Sequence, residues 1–153
     1  MNTVETADGV ALHCEESGKG TPVLFVHEYG GSCRSFDMQV AAFRARYRCI
    51  VFNARGYPPS EVPVSVDSYS QDHAVTDIGA VMDSLGVKQA HLVGVSMGAA
   101  SSLQYALKEP GGFSRRRWLA SARGRTIRRL FDRPRRRPPN CSKRAGWRRS
   151  RRR

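Results

Sequence analysis

The stretch Ala90-His91-Leu92-Val93-Gly94-Val95-Ser96-Met97-Gly98-Ala99-Ala100 decides the fold. Its first half is a short apolar run of the kind that forms a buried strand, and its small residues after Met97 open a helix. Between them stands Gly94-Val95-Ser96-Met97-Gly98, which has the G-x-S-x-G spacing of a nucleophile elbow. A serine on such a strand-to-helix turn is held in a strained backbone conformation, and only glycine-sized neighbours let the two segments approach so closely. The spacing predicts that Ser96 Oγ points out of the sheet. The Met97 backbone N–H and the positive helix end would then face any oxyanion formed beside it.

Working outward, the preceding sequence alternates strand and helix. Val4–Glu5 and Val10–Glu16 are short β-type runs on either side of Asp8-Gly9, which suits a tight hairpin turn. Ser17-Gly18-Lys19-Gly20 follows as a loop. Its Gly-Lys pair is not a phosphate-binding loop, because the glycine required at position 13 is His13. Pro22–Val26 is a continuous apolar run of buried-strand length, ending abruptly at His27-Glu28-Tyr29-Gly30-Gly31-Ser32. Ser35 is suited to cap a helix to about Tyr47, with Phe36, Val40, Ala41 and Phe43 as its apolar face. Cys49–Phe52 is a second buried strand and ends in Asn53-Ala54-Arg55-Gly56-Tyr57-Pro58-Pro59-Ser60. Tyr69–Leu85 has helical spacing through Val75, Ile78, Val81, Met82 and Leu85, closed by Gly86. The elbow strand Ala90–Val95 and a helix from Met97 to Leu107 complete the series. Such alternation predicts an α/β fold with a mostly parallel sheet covered on both faces.

Taken in order, an opening hairpin, an H-x-Y-G-G loop, an R-G-Y-x-x-S loop, a helix and a G-x-S-x-G elbow make residues 4–110 resemble the N-terminal half of the α/β-hydrolase fold family. The resemblance implies an incomplete α/β-hydrolase-like domain over residues 1–113 and a serine hydrolase acting on an ester or similar acyl substrate. Ser96 would be the nucleophile. Met97 and Tyr29 would supply the backbone N–H groups of the oxyanion hole, with His27, Glu28, Gly30, Arg55 and Tyr57 supporting the loops beside the pocket. Two departures matter. The family commonly places glycine after the histidine of the first loop, whereas this chain has Glu28, whose carboxylate would oppose an oxyanion unless it turned away. His27 is expected to brace its loop rather than to catalyse, and Arg55 is as readily a solvated side chain as a loop support.

The family's order along the chain is serine, then acid, then histidine. After Ser96 the acids are Glu109 and Asp132, and no histidine follows His91. His13 lies in the hairpin, His73 is expected to face out near a helix start, and His91 enters the elbow strand at the end away from Ser96. A serine without a positioned base is a poor nucleophile. The expectation is therefore a truncated hydrolase that is inactive or weakly active.

Charge divides the 153 residues in two. Residues 1–113 carry 8 basic against 12 acidic side chains, a charge of −4, whereas residues 114–153 carry 17 arginines and one lysine against Asp132, a charge of +17. Without a further apolar strand after Pro110, the elbow strand is expected to be an exposed sheet edge. Residues 114–153 are expected to be disordered in isolation. Three readings of this tail stand: a polybasic segment for nucleic acid with Trp118, Phe131 and Trp147 for stacking, a basic amphipathic helix on an anionic membrane, or translation of a GC-rich gene out of frame. The preponderance of arginine over lysine favours the last, because charge alone is served by either residue. Cys14, Cys33, Cys49 and Cys141 form no C-x-x-C pair and have no histidine at metal-ligand spacing, so free thiols and no metal or cofactor are expected. No signal-like start and no apolar run of about 18 residues is present, which points to the cytoplasm.

Overall fold

The alternating apolar residues of β3 (Thr21–Val26) set the architecture, because this strand is buried on both faces. Leu24 and Val26 point into one core, with Leu12, Cys14, Ile50 and Phe52. Val23 and Phe25 point into the other, with Cys49, Val51 and Val93. Such two-sided burial is the signature of a strand in the interior of an α/β sheet.

The computed structural model describes residues 2–108 and 119–120. The other strands are β1 (Asn2–Glu5), β2 (Ala11–Ser17), β4 (Tyr47–Phe52), β5 (His91–Gly94) and β6 (Leu119–Ala120), in the sheet order β1-β2-β4-β3-β5-β6. The sheet is mixed. β1 with β2 and β2 with β4 are antiparallel, whereas β4 with β3, β3 with β5 and β5 with β6 are parallel. Helix α1 (Asp37–Phe43) covers one face through Phe43, beside Cys33 and Phe36 of the preceding 3₁₀ turn. Helix α2 (Gln71–Ser84) covers the other through Ile78, Val81 and Met82, with Tyr105 of α3 (Met97–Lys108) packed alongside.

Several boundaries differ from the sequence reading, each for a local reason. Ser32, not Ser35, is the capping serine: its Oγ accepts from Arg34 N–H at 3.2 Å and caps the 3₁₀ turn Cys33–Phe36 that leads into α1, which itself starts after Phe36 with no side-chain cap. That helix stops at Phe43, because Tyr47 pairs with Thr21 as the first residue of β4. Its ring still packs edge-on against Phe43, 6.1 Å between centroids, so it keeps the spacing of a helical face without being helical. Ser70 caps α2, so Tyr69 lies outside it. The hairpin turn spans five residues: Gly9 N–H donates to Thr6 O, and Thr6 N–H closes the loop onto Val10 O. Gly9, at φ +82°, supplies the left-handed residue that such three-to-five-residue loops need.

The elbow strand is not a bare edge. Leu119 and Ala120 pair with Val93 and Gly94, two positions inside the segment read as a basic tail. The rest of residues 114–153, and with it the expectation of disorder, lies outside the described residues.

Candidate active site

Ser96 joins β5 to α3 with φ +48°, the one non-glycine positive φ among the described residues. A non-glycine residue in that conformation stores strain and marks a position where the surroundings over-determine the backbone. The surroundings here are two glycines. A Cβ on Gly94 would lie 2.5 Å from the Ala99 nitrogen, and one on Gly98 would lie 2.6 Å from the His27 carbonyl oxygen and collide with that of Val26. Both obstacles are backbone, so neither yields cheaply. Val95 N–H donates to Val26 O at 3.2 Å, which seats the turn directly on the end of β3. Ser96 is exposed and Met97 half-buried. Met97 is the first residue of α3, so its N–H has no intrahelical acceptor.

The turn therefore touches the His27–Ser32 loop, where the second set of predicted residues lies. Gly31 N–H donates to Glu28 O at 3.0 Å, making Glu28–Gly31 a tight turn with Tyr29 and Gly30 at its tip. Gly30, at φ +74°, donates to the Tyr57 hydroxyl at 3.2 Å. The Glu28 carboxylate folds back onto its own loop: it accepts from Ser35 Oγ at 2.9 Å and lies against the Cα of Gly31. Its negative charge is thus held by the capping unit.

His27 is buried and fully engaged. Ala54 N–H donates to its Nε2 at 3.0 Å, which fixes Nε2 as an acceptor and leaves Nδ1–H to donate to Glu28 O at 2.8 Å. Burial, the largest influence, pushes its pKa below the usual histidine range. The Tyr57 ring stands edge-on to it at 4.7 Å. With both nitrogens committed to backbone groups, His27 braces the first loop against the second.

Arg55 is a buried clamp and not a solvated side chain. Its five N–H donors are all used: Nε and Nη2 on Asp77 at 2.9 and 2.7 Å, Nη1 and Nη2 on Asp8 at 2.7 and 3.0 Å, and Nη1 on Ser68 O at 2.9 Å. The guanidinium holds Asp8 well below the ordinary carboxylate range, and Asp77 raises the Arg55 pKa. His73 joins this cluster, with Nδ1 3.4 Å from Asp8, and is half-buried rather than outward-facing. His13 and His91 are in β2 and at the start of β5, as the sequence reading had them. Ser60 closes the R-G-Y-x-x-S motif and Asp8 stands in the expected hairpin turn, whereas Asn53 and Asp77 carry no motif signal. Asn53 Oδ1 accepts from Cys33 N–H at 2.8 Å, and its Nδ2 donates to Pro58 O at 2.7 Å. Its one sequence signal was a buried-type position at a strand end.

The sheet order, the glycine-flanked turn and the two strand-end loops define a known class. The sequence pattern of the alpha/beta hydrolase fold family matches residues 21–115, and the chain belongs to that family. It is similar to an epoxide hydrolase of Caballeronia sordidicola, 34% identical over 107 residues that cover 69% of this chain and 32% of that protein. It is also similar to the 2-hydroxy-6-oxononadienedioate/2-hydroxy-6-oxononatrienedioate hydrolase of Comamonas testosteroni, 33% identical over 103 residues, 65% of this chain and 36% of that one. The solved epoxide hydrolase VrEH1 of Vigna radiata superposes with a TM-score of 0.70 at 37% identity, over 75% of this chain and 37% of that chain. The chain thus spans about a third of the length of the relatives it matches.

Proposed function

We propose that this chain carries the nucleophile half of a serine hydrolase site, with Ser96 attacking an ester or similar acyl carbonyl and activity weak for want of a base. The observation that carries the reading is Ser96 at φ +48° between two glycines that admit no side chain. Such a turn places a hydroxyl in the open, and the Met97 N–H beside it is free of the helix ladder. Tyr29 is the matching donor, because the loop it tops lies against the elbow through Val26, His27 and Gly98. In the reaction Ser96 Oγ bonds to the carbonyl carbon, its proton passes to water in the absence of a positioned base, and the oxyanion accepts from Met97 and Tyr29 N–H. Collapse then expels the alcohol and leaves an acyl-serine for water to cleave. His27, with both nitrogens occupied, does not serve as that base. The relatives are named for epoxide and for dienedioate substrates, so the shared scaffold supports hydrolysis without selecting a substrate.

A fluorophosphonate probe tests this. Slow labelling of the folded chain that Ser96→Ala abolishes is the expected result. An unlabelled folded chain, beside a full-length serine hydrolase that labels fully, would reduce the elbow to a remnant of the fold.

A further inference from the structure

Across β4 and β3 from the elbow strand, β2 and the turn after β3 bring together a different set of groups. Among the described residues, His13, Glu15 and Cys33 place their ligand atoms within 4.8 Å of one another. His13 and Glu15 are neighbours on one face of β2, alternating with the core residues Leu12 and Cys14. Cys33 opens the 3₁₀ turn and is buried, while the side chains of His13 and Glu15 are 12% and 24% exposed, which leaves a way in from solvent. His13 Nε2 lies 2.9 Å from Glu15 Oε1.

The backbone beneath these groups is fixed by one residue. Asn53 N–H donates to His13 O at 2.9 Å, while its side-chain oxygen accepts from Cys33 N–H. Ser60 adds to this, its Oγ accepting from His13 N–H at 2.8 Å and donating to Asn53 O at 2.6 Å. The two ends of the cluster, twenty positions apart in sequence, are therefore held by a common buried support. Ligands mounted on rigid elements with hydrogen-bonded outer partners are what a metal site requires.

We propose that His13 Nε2, the Glu15 carboxylate and Cys33 Sγ form a three-ligand site for a divalent transition metal of the zinc type. Imidazole, carboxylate and thiolate together are the donor set of a borderline-soft ion, and they do not suit magnesium or calcium, which take oxygen ligands. Three protein ligands leave a fourth tetrahedral position for water. Binding releases the Cys33 proton to solvent, and that of His13 where it is charged. It also displaces the Arg34 guanidinium from Glu15, and Arg34 has a second partner in Asp37 at 3.5 Å.

Cobalt(II) titration of the metal-free, reduced full chain tests the site. The expected result is one equivalent bound with a thiolate-to-cobalt charge-transfer band, bleached by added zinc. Cys33→Ser removes the band, Glu15→Gln and His13→Gln each weaken apparent affinity at least about tenfold, and Cys49→Ser and Cys141→Ser leave both unchanged. Absence of the band in the native chain, or its survival in Cys33→Ser, overturns the proposal. If Cys33→Ser fails a circular-dichroism check of folding, the two β2 variants decide through affinity alone, and unchanged affinity in both rejects the site.

Discussion

His27 shows how much a single residue's hydrogen bonds can decide. Ala54 N–H points at Nε2, so an imidazolium there would set one donor against another, and burial removes the water that would otherwise stabilise the charge. The folded chain therefore binds a proton at His27 less readily than the unfolded chain, whose histidines titrate near about 6.5. Stability from this residue is complete above that value and is lost as pH falls below it, because the unfolded state takes up the proton first. Urea midpoints should drop between pH 7.5 and pH 5.5, and His27→Gln, which keeps an acceptor and a donor but does not titrate, should flatten that slope. An unchanged slope in the variant would mean that Nε2 does not depend on the Ala54 contact. Asp8 acts in a separate window. Its pKa is depressed by Arg55, so its contribution is present above the unfolded carboxylate value and is lost only under more acidic conditions.

Between elements, the decisive contact is the start of α3 against the end of β3. Gly98 needs no unusual backbone angle, yet a methyl group there would enter the Val26 and His27 carbonyls. Gly98→Ala should therefore cost at least the about 1–3 kcal/mol typical of overpacking, read from the denaturation midpoint. By the same displacement it should suppress Ser96 labelling even where the chain stays folded. Gly86→Ala is the contrast: nothing lies within 4 Å of its added carbon, so its cost comes from φ +63° alone and labelling should persist. The elbow was legible in sequence because its chemistry depends on consecutive residues, and β3, β4 and β5 were legible because burial on both faces demands unbroken apolar runs. α1 was overextended because Phe36, Val40, Phe43 and Tyr47 share helical spacing, and only pairing with Thr21 shows that Tyr47 belongs to a strand. The Arg55 clamp and the His13-Glu15-Cys33 cluster were not legible. Cys33 is twenty positions from His13, and Asp8 and Asp77 are 47 and 22 positions from Arg55, so these groups meet only when the chain folds.

For the whole molecule, the segregation of charge separates two behaviours that a single net value conceals. Truncation after Ala120 keeps the β6 pairing to Val93 and Gly94 and takes the net charge from +13 to −1. No described helix is long and apolar enough to cross a membrane. If the basic segment is a nucleic-acid-binding one, the full chain binds single strands without sequence preference, with log affinity falling linearly against log salt by about 0.7 per phosphate neutralised. The truncated chain should lose that binding while fluorophosphonate labelling of Ser96 is unchanged. Retention of salt-dependent binding after truncation would move the anion-binding surface onto the hydrolase-like part, which carries a net charge of −4 over residues 1–113. Loss of Ser96 labelling on truncation would instead tie the elbow's geometry to residues beyond Ala120, making the basic segment part of the fold rather than an appendage to it.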